Sequence, residues 1–326
     1  MQIWQIQSTD GAGQLRQASA SSPACGPEDI RVAVRSVGIN RADLLQMRGL
    51  YPAPPGAPAD IPGLEYAGEI VETGARVRAR QVGDRVMGLV AGGAYATELV
   101  VHELDTLPVP ANLGWAEAAA FPEAYLTAYR ALFLEGGIQP GQWALIRAAT
   151  SVVGIAGLQL LRTFGSFSVG SSRHQERLDQ LGADMPDVPL VDAGDNLPEA
   201  VRTATDGGAD VALDMLGGEA LAQGLEALRD EGCLVLIGLL QGRKVQLDTA
   251  RLLFRRLTIR AMTMRTLPLG RRLQLMSVAR ERLLPHLARG TLNPRVAASH
   301  DFSRAPEAIA AMQQGEHVGK IVLTVG

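Results

Sequence analysis

The residues best suited to chemistry form a short turn between an apolar strand and a helix, in the segment 148–157, which reads A-A-T-S-V-V-G-I-A-G. Small residues in such a turn let backbone N–H groups come close to a pyrophosphate, and the helix N-terminus adds partial positive charge. Ala149, Ser151, Val152 and Val153 are therefore candidates for binding a dinucleotide. The strict G-x-G-x-x-G spacing is missing, so a tight turn that binds no nucleotide stays the alternative.

A second group of candidates lies where the next strand ends. The segment 171–174 reads S-S-R-H, Arg177 follows one helical turn later, and no carboxylate lies between the strand and Glu176. An NAD site normally has an acidic residue near this point for the ribose 2′-hydroxyl, whereas a 2′-phosphate is bound by hydroxyls and cations. Ser172, Arg173 and Arg177 therefore favour NADP(H) over NAD. The alternative is a solvated helix start whose arginines face water.

Alternating strands and helices must position both groups. Strands are predicted at WALIRAA, SFSVGSS, ADVALDMLG and GCLVLIGLL, and helices at SVVGIAGLQLLRTFG and HQERLDQLGAD. This alternation predicts βαβ units and a parallel, doubly wound sheet. The region before it, residues 1 to about 115, has short alternating runs with Gly and Pro at their ends, which predict a mostly β domain. An Ala-rich helix is predicted from Trp115 to the Gly136–Gly137 pair.

Composition limits the function classes. For 326 residues we expect two domains, at about 150 residues per domain. The formal net charge of −3 offers no basic surface for nucleic acid. Cys25 and Cys233 are too few for a disulfide framework or a structural zinc site, which favours the cytoplasm. No leader segment and no membrane span are expected.

Motifs along the whole chain resemble one family. The segments GINRADLLQMRGLYPAPPG, PGLEYAGEIVETG, FPEAYLTAYRAL, GADVALDMLGG and GKIVLTV are similar to the zinc-free quinone oxidoreductases, the zeta-crystallin-like group of the medium-chain dehydrogenase/reductase superfamily. The branch that includes the tumour-suppressor-inducible quinone oxidoreductase looks most similar. The resemblance implies a GroES-like catalytic domain (1–118), an inserted Rossmann NADP-binding domain (119–264) and a return to the catalytic domain (265–326).

The resemblance also implies chemistry without metal. Asn40 and Asp43 fall in the segment where zinc-dependent relatives place a cysteine ligand, and Leu64 stands where they carry a histidine beside the acidic residue, here Glu65. We therefore expect no catalytic zinc. The expected activity is NADPH-dependent reduction of a small quinone or enone by hydride transfer. Tyr51 and Asn40 are the candidate catalytic residues, with an aromatic packed on its proline loop and a satisfied turn side chain as the respective alternatives.

Further cofactor contacts are implied by the resemblance, namely Asn40, Thr127, Met262, Met264 and Lys320. Gly238, Leu239 and Leu240 are added because they follow a predicted buried strand, and backbone amides at the carboxyl edge of a sheet commonly meet ligands. For Thr127 the alternative is a hydroxyl bonded to its own helix, and for Lys320 it is a surface charge. Ala193 lies where family members often place a tyrosine on the 2′-phosphate, so one contact is expected to be missing.

The sequence is also compatible with two other functions. An enone or enoyl double-bond reductase has the same motifs, and a nucleotide-binding protein without significant turnover fits the altered phosphate turn. Rossmann domains of this family commonly pair at their sheet edges, and the strand at 233–240 followed by LTIRAM predicts a homodimer there. We expect no nucleic-acid partner and no membrane partner.

Overall fold

A computed structural model describes residues 1–9, 12–194 and 196–326. This described part of the chain divides into two compact units, one made of residues 1–123 with 264–326 and the other of residues 124–263. The sequence analysis placed the boundaries at 118/119 and 264/265. The second unit is thus an insertion in the first.

Strands and helices are numbered along the chain. The strands are β1 (Gln2–Thr9), β2 (Ala12–Ser19), β3 (Asp29–Gly38), β4 (Glu65–Thr73), β5 (Arg85–Leu89), β6 (Glu98–His102), β7 (Thr106–Pro108), β8 (Trp143–Arg147), β9 (Phe167–Ser172), β10 (Leu190–Asp192), β11 (Ala209–Asp214), β12 (Leu228–Leu236), β13 (Thr258–Ala261), β14 (Val296–Asp301) and β15 (Lys320–Thr324). The helices are α1 (Arg41–Met47), α2 (Trp115–Ala119), α3 (Pro122–Tyr129), α4 (Val152–Thr163), α5 (Gln175–Asp184), α6 (Leu197–Thr205), α7 (Gly218–Glu226), α8 (Thr249–Phe254), α9 (Leu269–Arg282), α10 (Leu284–Ala288) and α11 (Ala305–Gln314). Short 3₁₀ turns occur at Glu103–Asp105 and Phe302–Arg304, and a π-helical turn at Arg130–Glu135.

The first unit is built on a mixed sheet in the order β14-β15-β3-β4-β5-β7, with β6 also paired to β3. Only the β14–β15 pair among these described strands is parallel. β3 alternates buried and half-buried residues, so that Ile30, Val32 and Val34 enter the core. β15 comes from the C-terminal segment and pairs antiparallel with the end of β3, which brings residues near 320 beside residues near 40.

The second unit is a parallel sheet in the order β10-β9-β8-β11-β12-β13. Counted within the unit, this is the order 3-2-1-4-5-6 of a Rossmann fold, in which the strand order reverses between β8 and β11. Leu145, Val169, Ala212 and Leu234 from successive strands form its core. The predicted α/β class, a GroES-like domain plus a parallel Rossmann sheet, is confirmed.

Two local predictions were wrong in detail. The predicted helix from Trp115 stops at Ala119 and begins again at Pro122, because proline has no N–H for the preceding turn and fits only at a helix start. The strand that contains Cys233 lies inside the sheet, paired on both sides, and the edge is β13, from the LTIRAM segment. Among the described helices none is long and apolar enough to cross a bilayer.

Candidate functional site

A buried polar cluster in the first unit joins Asn40, Glu65 and Lys320. The Lys320 ammonium donates to Asn40 Oδ1 at 2.7 Å and to Glu65 Oε1 at 2.6 Å, and Asn40 Nδ2 donates to the same Glu65 oxygen at 2.9 Å. The three residues are 9%, 0% and 2% exposed. A charge pair buried this deeply is tolerated because hydrogen bonds satisfy its remaining polar atoms. The surface-charge alternative for Lys320 is therefore not what the structure shows.

Strand register brings these residues together from distant parts of the chain. Gly38 at the end of β3 pairs with Glu65 at the start of β4, and the Ile39 N–H donates to the Ile321 carbonyl at 2.9 Å. A Cβ added at Gly38 would collide with Glu65 Oε1. The glycine is thus required because the carboxylate lies directly against the backbone.

Asp43 is buried beside the cluster and orders the chain around it. Its carboxylate accepts from the Asn40 N–H at 2.8 Å, the Gly63 N–H at 3.2 Å and the Tyr95 hydroxyl at 3.1 Å. Burial raises the pKa of Asp43 to about 6, and these hydrogen bonds counteract the rise. Burial and the adjacent Asp43 raise the pKa of Tyr95 well above its usual value. Asp43 thus holds α1 and the loop at Gly63 in place.

Arg265 holds the loop that carries Tyr51. Its guanidinium donates to the carbonyls of Ala91 at 2.7 Å and Tyr51 at 2.6 Å and to Gln46 Oε1 at 2.7 Å. It also lies 5.2 Å from the centre of the Tyr51 ring, close enough for a cation–π interaction. Arg265 is only 4% exposed. The Tyr51 ring therefore has a fixed charged neighbour in addition to its proline loop.

The phosphate turn of the second unit has the close packing that a nucleotide fold needs. Ala149 donates its N–H to the Ser171 carbonyl at 2.9 Å, which ties the turn to the neighbouring strand. A Cβ added at Gly154 would lie 2.7 Å from the carbonyl oxygens of Ala148 and Ala149. Gly154 thus plays the part of the glycine that lets helix and strand approach. The Ser151 hydroxyl accepts from the Gly154 N–H at 3.0 Å and so caps α4, in which Val152 and Val153 are the first residues.

The proposed 2′-phosphate corner lies beside this turn. Ser172 is buried, and its hydroxyl is 3.3 Å from the Thr150 hydroxyl and accepts from the His174 N–H at 3.3 Å. Arg173 is exposed and Arg177 is partly exposed. The Ala193 N–H donates to the Ser172 carbonyl at 3.1 Å, so residue 193 does lie next to this corner.

The other predicted cofactor residues lie in several places. Gly238, Leu239 and Leu240 form the loop after β12, where Leu240 donates its N–H to the Met215 carbonyl at 3.2 Å. Met262 and Met264 follow β13 and are both buried. The Thr127 hydroxyl in α3 is buried, and within the described residues it has no hydrogen-bond partner, its own helix included.

Sequence reasoning did not consider four ionisable residues, Glu123, Arg265, Arg147 and Asp214. It considered Glu65 only in relation to a lost zinc site. Arg147 and Asp214 are fully buried at the ends of β8 and β11, where the windings reverse, with Arg147 Nη1 3.8 Å from Asp214 Oδ2. Burial lowers the pKa of Arg147. An arginine in the apolar strand WALIR was the available signal, since a buried strand rarely holds a charge unless it is paired.

Comparisons with known proteins agree with this architecture. The sequence family described as zinc-binding dehydrogenase matches residues 152–277, and the alcohol dehydrogenase GroES-like domain matches residues 26–127. The human synaptic vesicle membrane protein VAT-1 homolog is 32% identical over 96% of this chain and 83% of its own. A quinone oxidoreductase-like protein 2 homolog from Nematostella vectensis is 31% identical over 93% of this chain and 83% of its own. The chain belongs to the medium-chain dehydrogenase/reductase superfamily.

One solved structure of this superfamily is especially informative. The quinone oxidoreductase from Thermus thermophilus, described with its NADPH complex, superimposes with a TM-score of 0.84 at 30% identity, over 99% of this chain and 100% of that chain. The superfamily membership makes this protein an oxidoreductase of the medium-chain type with an NAD(P)-binding fold. The narrower branch predicted from the motifs stays a prediction.

The donor set around Glu65 does not fit a zinc ion, although one matching family is described as zinc-binding. Within residues 1–9, 12–194 and 196–326 no group of three or more His, Cys, Asp or Glu side chains is arranged to hold a metal. Asn40 and Leu64 offer neither thiolate nor imidazole, and the Lys320 ammonium already contacts Glu65. A metal ion there would have to displace a buried, tethered cation.

A nicotinamide dinucleotide does fit the second unit. Gly154 lets α4 approach the backbone of the phosphate turn closely, and the buried Thr127 and Ser171 hydroxyls lack partners among the described residues. Buried polar atoms of this kind normally have a partner, so they are suited to receive one from a bound ligand.

Proposed function

We propose that this protein uses NADPH to reduce quinones by hydride transfer, without a metal, as a zinc-free quinone oxidoreductase of the branch predicted above. The buried Asn40–Glu65–Lys320 cluster is the observation that carries the proposal. The cluster offers no Lewis acid, so an acceptor must already be electrophilic to react, as quinones are. The Nematostella and Thermus relatives, which are described as quinone oxidoreductase-like and as a quinone oxidoreductase, support the acceptor class.

Different residues bind the cofactor and the acceptor. When bound, NADPH supplies the hydride. Ser172 and Arg173 bind the 2′-phosphate by hydroxyl and charge, and the Thr127 hydroxyl binds the nicotinamide end. Tyr51, held by Arg265, stacks on or donates to the acceptor. Positioning and hydrogen-bond polarisation then supply most of the rate enhancement.

Steady-state kinetics with small quinones and with each cofactor test the proposal. We expect NADPH to exceed NADH in kcat/KM, and Arg173→Ala to reduce that preference about tenfold, because it removes a charge-assisted contact. Arg162→Ala, at an exposed arginine that pairs with Asp187, is the matched control. NADH outperforming NADPH by a wide margin would refute the cofactor assignment.

The same assay separates the rival functions. A preference for α,β-unsaturated ketones or thioesters over quinones would indicate a double-bond reductase. NADPH binding without reduction of any acceptor would indicate a sensor, and no binding at millimolar NADPH would exclude the oxidoreductase proposal. The free thiols Cys25 and Cys233 fit our further proposal that the protein works in the reducing cytoplasm.

We also propose that a second copy of this chain pairs at β13. All residues of this edge strand are exposed, and the adjacent Leu253 and Phe254 are 71% and 74% exposed. Two identical strands related by a twofold axis satisfy each other's backbone groups. Sedimentation at micromolar concentration should show a dimer, and Ile259→Pro should give a monomer, whereas Val82→Pro at another exposed site should not. A wild-type monomer would refute this pairing.

A further inference from the structure

Glu123 is an ionisable residue that the proposed function leaves unused. It lies in the first turn of α3, and its backbone N–H donates to Glu65 Oε2 at 2.7 Å. Its side chain lines a cavity of about 10 Å³, room for about one water molecule. The described residues provide neither a hydrogen bond nor an ion pair to its carboxyl group. A carboxyl group in this position can donate a hydrogen bond to a water molecule in the cavity.

The surroundings of Glu123 raise the pKa of its carboxyl group above neutral pH. Burial is the main cause, and the Glu65 and Asp43 carboxylates add to it, so that the pKa rises to about 8 although the side chain keeps some exposure. Lys320 and Arg265 oppose the rise, although each of them donates hydrogen bonds to residues other than Glu123. Arg272, which also lines the cavity, donates to Asp105.

Glu123 is connected to both candidate catalytic residues within the first unit. Through its N–H it contacts Glu65, which accepts a hydrogen bond from Asn40. The cavity that its side chain lines is also lined by Arg265, which holds Tyr51. The groups that were predicted separately around Asn40 and Tyr51 therefore meet at Glu123, one at its backbone N–H and the other at the cavity that its side chain lines.

We propose that Glu123 is the general acid of the reduction, an inference that rests on the proposed function. Hydride supplied by bound NADPH would form one O–H bond of the hydroquinone, and the Glu123 O–H bond would break to deliver a proton, through the water molecule for which the cavity has room, to the other quinone oxygen, which would otherwise carry negative charge. The hydride brings both electrons and Glu123 brings the proton, so the quinone leaves as neutral hydroquinone. The Glu123 carboxylate then takes a proton from water, and NADP⁺ is the oxidised product.

Glu123→Gln is the central test, because glutamine keeps the shape and hydrogen-bonding capacity of the neutral acid but cannot donate its proton in catalysis. Glu117→Gln is the matched control, since Glu117 occupies the first turn of α2 and is also partly buried. We expect Glu123→Gln to lower kcat for quinones about 100-fold with the NADPH Kd unchanged. Wild-type kcat/KM should fall above about pH 8, and the variant should lose that dependence. Glu123→Asp should restore part of the rate.

A second readout needs neither cofactor nor turnover. Infrared difference spectra of the protein alone should show a carboxyl C=O band that disappears around pH 8 in the wild type and in Glu117→Gln but is missing in Glu123→Gln. A Glu123 carboxyl that is already ionised at about pH 6 would overturn the proposal. So would wild-type quinone turnover combined with full rate and an unchanged pH profile in Glu123→Gln. Wild-type protein that reduces no acceptor would instead refute the proposed function, and the proton transfer with it.

Discussion

Replacing Lys320 by methionine tests whether the buried cluster is a true ion pair. The substitution keeps an unbranched side chain of similar length but removes the ammonium that donates to Asn40 and Glu65. Among the described residues, the fully buried Glu65 would keep only the Asn40 amide and the Glu123 N–H as donors. Removing one partner of a buried pair typically costs about 3–5 kcal/mol, because the remaining charge is left uncompensated. We expect a loss of that size in the free energy of unfolding.

Urea unfolding at neutral pH, followed by tryptophan fluorescence, measures this loss. The matched control is Lys244→Met, since Lys244 is the other lysine of the chain and is exposed. The Lys320→Met/Glu65→Gln double variant should recover a large part of the loss, because no buried charge remains in it. A cost below about 1 kcal/mol for Lys320→Met, the range of surface pairs, would refute the buried-pair reasoning.

Three further substitutions test other parts of the structure. Gly154→Ala should raise the NADPH Kd at least about tenfold, because its Cβ would press on backbone carbonyls at 2.7 Å. Gly157→Ala is the control, since an added Cβ there first meets side-chain atoms at 3.4 Å. Equal NADPH binding by the two variants in a fluorescence titration would contradict the prediction. Arg265→Lys should lower kcat/KM for quinones about tenfold, because an ammonium cannot serve three acceptors and the Tyr51 ring together, and unchanged kinetics would argue against this role. Glu123→Gln should change the pH dependence of stability: the raised pKa means that the folded state holds a proton that the unfolded state releases, so wild-type stability is full below about pH 4.5 and falls up to about pH 8. The difference in the free energy of unfolding between the variant and wild type should therefore be about 3 kcal/mol larger at about pH 8 than at about pH 4.5, a value reduced from the full linkage because Glu123 is partly exposed. Urea unfolding at both pH values measures it, and equal differences would contradict the prediction.

Local signals were sufficient to predict the nucleotide-binding half of the molecule. The turn at 148–157 and the strand end at Ser172 are each specified by residues that are neighbours in the chain, and both have the predicted strand–turn–helix context. The exception is the break before Pro122. There the helical pattern continues on both sides, and only the missing N–H of one residue interrupts it.

The polar centre of the first unit could not be predicted in the same way. Lys320 and Glu65 are 255 residues apart in sequence, and Arg265 and Tyr51 are 214 apart. Their contacts depend on which strands pair and in which register, and no local pattern encodes that information. Resemblance pointed to Asn40, Tyr51 and Lys320 one by one, but it did not show that Asn40 and Lys320 share Glu65 as a partner.

The return of the chain into the first unit explains why Glu123 can hold its proton. β15 lies between β14 and β3 and brings the Lys320 ammonium to Glu65, where the two groups form an ion pair that is almost completely shielded from solvent. A mobile cation could move between Glu65 and Glu123, and it would then lower the pKa of whichever acid it approached. Lys320 cannot do so, because two hydrogen bonds hold its ammonium and the strand fixes its backbone. The pKa of Glu123 is therefore raised by its own desolvation and by the Glu65 and Asp43 carboxylates, against the opposing effect of Lys320 and Arg265, and a carboxyl group in that setting remains a proton donor at neutral pH.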